Sequence, residues 1–268
     1  MQKTIFITGA SSGLGKETAK LFHSKGWNVI ATMRNPEKET ELTQLTNVTV
    51  LSLDVSNTRQ LKETVSKVLE TQSVDVVVNN AGYGLIGPLE ALSDTEIDNQ
   101  VQTNLFGVIN VTRAFLSYFR ERKNGIFINV TSTFGLLGYP ICSIYNATKF
   151  GVDGFSEGLA YELAQFGIGV KVVAPGGMQT DFAGRSLKGS SHPAYQQLVA
   201  RVSEGYSEEQ IANYSKAEDI AEVIYGAATD GTGQLRYLAG KDAIALYTER
   251  LSNGPEAQVQ HLKSNFVF

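Results

Sequence analysis

A single cysteine, Cys142, excludes an internal disulfide framework. It lies among apolar neighbours with no histidine beside it, so it reads as a small buried hydrophobe rather than a catalytic thiol. The three histidines, His23, His192 and His261, are scattered without ligand spacing, and no metal site is expected. No apolar run approaches the length of a membrane span. A strand-like run begins directly after Met1-Gln2-Lys3, leaving no room for a signal peptide. The expectation is a cytoplasmic protein in a reducing compartment. Basic residues, 23 against 27 acidic ones, form no stripe, and the net charge is −4. Neither a nucleic acid nor a membrane surface is expected as a partner. Linkers, internal repeats and low-complexity blocks are also missing.

What is present is an alternation of short apolar strands and amphipathic helices along all 268 residues, which indicates one α/β domain. Thr4 to Ile7 reads as a buried parallel strand. Thr8-Gly9-Ala10-Ser11-Ser12-Gly13-Leu14-Gly15 follows, then a helical pattern through Thr18, Ala19, Leu21 and Phe22. Strand, glycine-rich turn and helix form a phosphate-binding arrangement. The glycines admit a pyrophosphate to the backbone, and the helix start offers unpaired N–H groups. Ser11 and Ser12 can add hydroxyl donors.

The second strand, Trp27 to Met33, ends without the carboxylate that would grip a ribose 2′-OH about 20 residues after the glycine turn. Arg34 follows instead, and its guanidinium can pair with a 2′-phosphate. NADP is therefore expected over NAD; an unengaged surface arginine is the alternative. The third strand, Val48 to Leu53, leads to Asp54 and Val55. Asp54 could accept from an adenine amino group, or cap the helix that starts near Asn57. Val74 to Val78 runs into Asn79-Asn80-Ala81-Gly82, small residues that let a cofactor lie against a strand end.

A long helix is expected from Asp94 to about Arg122, with Asn104 inside it. An asparagine mid-helix needs a reason, and a buried amide satisfied by a neighbour would suffice. Ile126 to Val130 is the next strand, with Ser132 just beyond its end. Tyr145 and Lys149 share one face of the following helix. Tyr-x-x-x-Lys is also a common surface pair, so it gains meaning only from context. Beside an ammonium, a phenol's pKa is expected to fall from about 10. With the Ser132 hydroxyl aimed at the same point, the trio suits carbonyl–alcohol chemistry. Val170 to Ala174 ends at Pro175-Gly176-Gly177-Met178-Gln179-Thr180, again at the cofactor edge. Residues 182–215 read as a long irregular lid or substrate loop. A helix over about 216–228 and a last strand, Gln234 to Leu238, precede an apolar Phe266-Val267-Phe268 end that should pack on its own core or on a partner.

Taken together, Thr8-Gly9-x3-Gly13-x-Gly15, Asp54, Asn79-Asn80-Ala81-Gly82, Asn104, Ser132, Tyr145-x3-Lys149 and Pro175-Gly176 leading to Thr180 resemble the short-chain dehydrogenase/reductase family in its single-domain form. The resemblance covers nearly the whole chain. It implies a Rossmann-like, doubly wound parallel sheet of about seven strands with helices on both faces. Ala31-Thr32-Met33-Arg34 is similar to NADP-preferring members, among them retinol- and hydroxysteroid-dehydrogenase-like ones. By this resemblance Tyr145 exchanges the proton, Lys149 tunes it and holds the nicotinamide ribose, Ser132 holds the substrate oxygen, and Asn104 positions a relay water. Cofactor contacts would fall on Gly9, Ser11, Ser12, Gly13, Leu14, Gly15, Arg34, Asp54, Val55, Asn80, Ala81, Gly82, Tyr145, Lys149, Pro175, Gly176, Met178 and Thr180.

The expected activity is NADPH-dependent reduction of a ketone or aldehyde, reversible as alcohol oxidation. Tyr83, Leu85, Leu136, Tyr139 and Phe182 near the pocket suggest a hydrophobic substrate. The rival is a non-catalytic NADP-binding sensor or regulatory protein. Its mark would be a degraded catalytic set, whereas Asn104, Ser132, Tyr145 and Lys149 are all present. The resemblance also implies a homodimer or homotetramer built on the Asp94–Arg122 and Ser143–Phe166 helices. The small residues Ala147, Gly151, Gly154 and Gly158 would serve close packing there, or else internal helix–sheet contact.

Overall fold

Thr4-Ile5-Phe6-Ile7-Thr8 is buried at every position, because helices cover both faces of the strand it forms. In the computed structural model, which describes residues 2–180 and 187–266, this strand is β1 (Thr4–Thr8). It pairs in parallel with β2 (Asn28–Met33) on one side and β4 (Val76–Asn79) on the other, with Ile5 opposite both Val29 and Val76. β3 (Val48–Ser52) continues beyond β2. β6 (Gly125–Val130), β7 (Ile168–Pro175) and β11 (Arg236–Ala239) continue beyond β4. The parallel sheet thus has seven strands in the order β11-β7-β6-β4-β1-β2-β3. The chain reverses direction of travel across the sheet between β1 and β4, which opens a crevice at the carboxyl ends of those strands.

One face is covered by α1 (Gly13–Ser24) and the helix Ala217–Thr229. There Phe22 sits edge-on to both Trp27 and Tyr225. The other face is covered by α2 (Thr58–Thr71), α4 (Gly107–Arg122) and α5 (Ser143–Ala164). Phe6, Phe115, Phe119 and Phe127 interlock there. Such aromatic pairs supply about 0.5–1.5 kcal/mol each beyond their burial. Local chemistry sets the helix starts. Asn57 Oδ1 accepts from Gln60 N at 3.1 Å. Ser93 and Glu96 exchange hydrogen bonds as a capping box ahead of α3 (Asp94–Val101).

Three expectations change, and one further stretch gains helices. The helix from Asp94 to Arg122 is interrupted by one wide π turn, Gln102–Phe106. Apolar residues stay in phase across it, so periodicity does not reveal it. The stretch 182–215 is not irregular where described. It holds β9 (Leu187–Gly189), paired with β5 (Gly84–Ile86), and two short helices, Gln196–Ser203 and Glu208–Asn213. Phe182 lies outside the described residues. Val74 and Asp75 precede β4 rather than belonging to it; the Asp75 carboxylate accepts from Thr4 N at 2.9 Å and pairs with Arg122 at 3.2 Å. Finally, the chain after β11 forms two further helices, Lys241–Asn253 and Pro255–Phe266. Gly254, at φ +84°, joins them, and Pro255 opens the second at a position where its missing N–H costs nothing.

Candidate functional site

The turn after β1 is shaped by three glycines that no other residue could replace without movement. Gly9 has φ +69°, and a Cβ there would stand 2.7 Å from Ala81 Cα. Gly13 has φ +51°. A Cβ on Gly15 would stand 2.3 Å from the Gly9 carbonyl oxygen. The turn is stitched to the end of β4: Thr8 Oγ1 accepts from Asn80 N at 3.0 Å and from Ala81 N at 3.1 Å. Asn80 Nδ2 donates to the carbonyls of Thr8 and Gly9, both at 3.0 Å. Its amide therefore fixes the turn, and only its remaining oxygen is left for a ligand.

Ser12 precedes α1 in an extended conformation, and its hydroxyl makes no capping bond. The first N–H groups of α1 consequently have no intrahelical partner, and no acidic side chain occupies the first turn. Leu14 turns inward to the core. Thr180 reaches the same turn: a Cβ on Gly13 would stand 3.7 Å from its methyl. Two distant motifs thus meet at one anion-accepting edge.

At the end of β2 Met33 is buried and Arg34 is exposed. The loop beyond is fastened to α1. Glu39 Oε1 accepts from Glu41 N at 2.8 Å and Leu42 N at 2.9 Å, and pairs with Lys16 at 3.1 Å. Asp54 does not cap the following helix, which Asn57 caps; its Oδ1 instead accepts from Ser56 N at 2.9 Å and Ser56 Oγ at 2.6 Å. Val55 is buried against Gly107 of α4.

Ser132 follows β6 in extended backbone, and its Oγ accepts from Phe134 N at 3.1 Å. Tyr145 and Lys149 lie in the first two turns of α5, on one face. Lys149 is 6% exposed, and its Nζ donates to the Val130 carbonyl at 3.0 Å while lying 5.7 Å from the Tyr145 ring centre. Burial pushes the phenol of Tyr145 up to about 12, against the opposing effect of the Ser132 hydroxyl beside it. Burial also lowers Lys149 to about 8. The lowered phenol anticipated from the Tyr-x-x-x-Lys spacing is therefore not a property of the chain by itself. Desolvation penalises phenolate and ammonium alike, and it is the leading cause of both shifts.

Asn104 lies in the π turn and is buried. Its Oδ1 accepts from Tyr83 N at 3.1 Å and its Nδ2 donates to Tyr83 O at 2.8 Å. Gly82 separates it from the lysine: a Cβ there would be 3.1 Å from Asn104 Oδ1 and 3.8 Å from Lys149 Nζ. Gln100, missed by sequence reasoning, is fully buried and donates to the same Tyr83 carbonyl at 2.9 Å.

On the substrate side Tyr139 stacks on Phe134 with ring centres 4.5 Å apart, and Phe266 meets it edge-on at 5.5 Å. Phe266 thus packs beside the candidate site, while Val267 and Phe268 lie outside the described residues. Leu85 and Leu136 are buried in protein, which leaves Tyr83 and Tyr139 as the half-exposed wall. Lys188 Nζ stands 5.0 Å over the Tyr83 ring. Pro175, Gly176 and Met178 line the end of β7. Sequence reasoning also missed what holds them: Asp242 Oδ2 accepts from Gly177 N at 2.7 Å, and the Tyr214 ring lies on Gly177. Ser11 is exposed at the glycine turn. Cys142 is buried, its thiol pushed up to about 12 by desolvation. Among the described residues there is no cluster of metal ligands, and no helix is long and apolar enough to cross a membrane.

The arrangement therefore has a glycine turn at a helix start, an open strand edge, and a phenol, hydroxyl and amine converging beside it. Residues 3–190 match the short chain dehydrogenase family. Oxidoreductase BOA17 of Botryotinia fuckeliana is 37% identical over 253 residues, covering 91% of each chain. Retinol dehydrogenase 8 of Homo sapiens is 38% identical over 194 residues, which are 69% of this chain and 62% of that one. The solved structure of ElxO with NADP bound has a TM-score of 0.74 at 29% identity, covering 89% of this chain and 98% of that one. On the fold, the motif geometry and these likenesses, the chain belongs to the short-chain dehydrogenase/reductase family and is an oxidoreductase of that family.

Proposed function

We propose that the protein is an NADPH-dependent carbonyl reductase, reversible as an alcohol dehydrogenase, acting on a hydrophobic ketone or secondary alcohol. The observation that carries this reading is the convergence of Ser132, Tyr145 and Lys149 at the carboxyl edge of the sheet, beside a glycine-turn helix start with no acidic side chain in its first turn. When bound there, the nicotinamide would supply or accept the hydride. Ser132 Oγ would hold the substrate oxygen and Tyr145 would give it a proton in reduction. With a pKa of about 12, the phenol is in its acid form throughout the neutral range, the form that reduction needs. Lys149, fixed to the Val130 carbonyl, would hold the ribose hydroxyls. Asn104 would support the loop at Tyr83 and a water beside Lys149.

NADP is favoured over NAD by the exposed Arg34 and by the absence of a carboxylate at Met33. The NADP in the ElxO structure and the name of the retinol dehydrogenase relative agree with cofactor and substrate class. A homodimer or homotetramer is supported by an outward face on α5. A Cβ added at Gly154 or Gly158 would meet no atom within 4 Å, and Phe150 and Tyr161 are exposed on the same helix, as is Phe106 in the π turn. Gly151 packs internally on Leu105. The test is a panel of hydrophobic carbonyls and alcohols followed by NADPH absorbance with both cofactors. Turnover of ketones with NADPH is expected; cofactor binding without turnover anywhere in the panel would leave the non-catalytic reading.

A further inference from the structure

The turn that ends β7 is gripped from two directions by side chains outside every motif that named the family. Gly176 N donates to the Ala239 carbonyl at 2.9 Å, tying the end of β7 to the end of β11. Gly240, at φ +113°, then swings the chain into the helix Lys241–Asn253. Asp242, in its first turn, points back at the strand end. Its Oδ2 accepts from Gly177 N at 2.7 Å. Its Oδ1 lies so close to Gly176 that a Cβ there would be 2.1 Å away. The carboxylate therefore fills a notch that only glycine leaves open.

On the opposite side the Tyr214 ring covers Gly177, where a Cβ would stand 2.5 Å from its Cγ. Tyr214 is itself fixed through its hydroxyl, which donates to Gly205 O at 2.8 Å. Gln179 Nε2 donates to the carbonyls of Ala212 and Tyr214 at 2.8 and 2.7 Å, and Met178 pairs with Ser215 through β8 (Met178–Gln179) and β10 (Ser215–Lys216). The glycines of this turn have the backbone freedom to rotate, and Asp242 and Tyr214 remove it.

We propose that Asp242 is a positioning residue for the nicotinamide half of the cofactor, acting through the Gly177 amide. The inference rests on the reading of Pro175–Thr180 as the wall against which the nicotinamide lies. The rival role for Asp242 is merely structural: an acidic group in a helix's first turn stabilises that helix through its dipole. The two differ in what they do to binding. Loss of a dipole partner lowers stability without distinguishing one half of the cofactor from the other. Loss of the grip on Gly177 releases the nicotinamide half and leaves the adenosine half, which is bound at the glycine turn and Arg34.

The test is direct binding to the full chain, by fluorescence for NADPH and by calorimetry for 2′,5′-ADP, which lacks the nicotinamide. Asp242→Ala should weaken NADPH by about tenfold, the ordinary weight of a hydrogen bond to a charged group, and leave 2′,5′-ADP unchanged. Asp242→Asn, which keeps an acceptor for the Gly177 N–H, should restore most of the NADPH affinity. Asp242→Glu, whose longer side chain does not fit the Gly176 notch, should show the same selective loss and carries the test if the alanine variant fails to fold. Equal weakening of both ligands, or no weakening of either, would overturn the proposal. Unmutated protein that binds 2′,5′-ADP and turns over carbonyls while the variants behave normally would refute Asp242 alone. Unmutated protein that binds neither ligand would refute the cofactor reading beneath it.

Discussion

Lys149 Nζ lies 5.7 Å from the centre of the Tyr145 ring and donates to the carbonyl of Val130. One turn of α5 thus carries the proposed proton donor, and the next carries an amine anchored to the end of β6. The same burial that aligns them drives the phenol up and the amine down.

That burial has a measurable consequence for stability. Lys149 is lowered from 10.5 to about 8 in the folded chain. Between those pH values the unfolded chain holds a proton that the folded chain has released, so stability attributable to this group rises with pH across the window. Below pH 8 both states are protonated and the full penalty applies. Lys149→Met removes the group. The stability of this variant relative to the parent should therefore fall by up to about 3 kcal/mol between pH 7 and pH 10.5. Denaturant unfolding at a series of pH values measures it; a constant difference would contradict the buried, neutralised amine.

Arg34 should decide between the two nicotinamide cofactors. Arg34→Ala should raise KM for NADPH by about tenfold or more, the weight of a charge-assisted pair, with KM for NADH unchanged. Steady-state kinetics with both cofactors reads it directly.

Phe266 should shape the substrate side. Phe266→Ala removes an edge-on contact to Tyr139, worth about 1 kcal/mol. KM for a bulky hydrophobic substrate should rise several-fold, while the NADPH dissociation constant stays as it was.

The open face at Gly154 and Gly158 should be an interface between copies. Gly158→Arg places a charged side chain where the single chain has open space, so the protomer should fold and its helix should gain slightly in propensity. Light scattering should show the oligomer of the parent reduced to monomer. An unchanged mass would remove this face from the interface.

These expectations draw on features of unequal legibility. The seven strands could be located within about two residues because both faces of a parallel sheet are covered and the apolar runs are continuous. The glycine turn and the shared face of Tyr145 and Lys149 follow from spacing alone, since 3.6 residues per turn fixes who stands above whom. The π turn at Gln102–Phe106 is silent in periodicity, although the odd asparagine at 104 marks its position. The C-terminal helices were not anticipated. Their apolar faces are weak, and the two helices are held to each other by contacts such as Gln258 donating to Leu246 O at 2.7 Å. Asp242 could not be found from a motif at all, because its partner Gly177 is far away in sequence. The direction of the Tyr145 shift depends on how deeply the residue is buried, which is a property of the packed fold.

The most direct test of the central claim replaces the phenol. Tyr145→Phe keeps the ring and removes only the hydroxyl. NADPH binding should remain within about threefold of the parent, while kcat for carbonyl reduction should fall by about 10²-fold or more, the span expected for a lost general acid. Turnover at the parental rate in that variant would contradict the assignment of Tyr145 as proton donor.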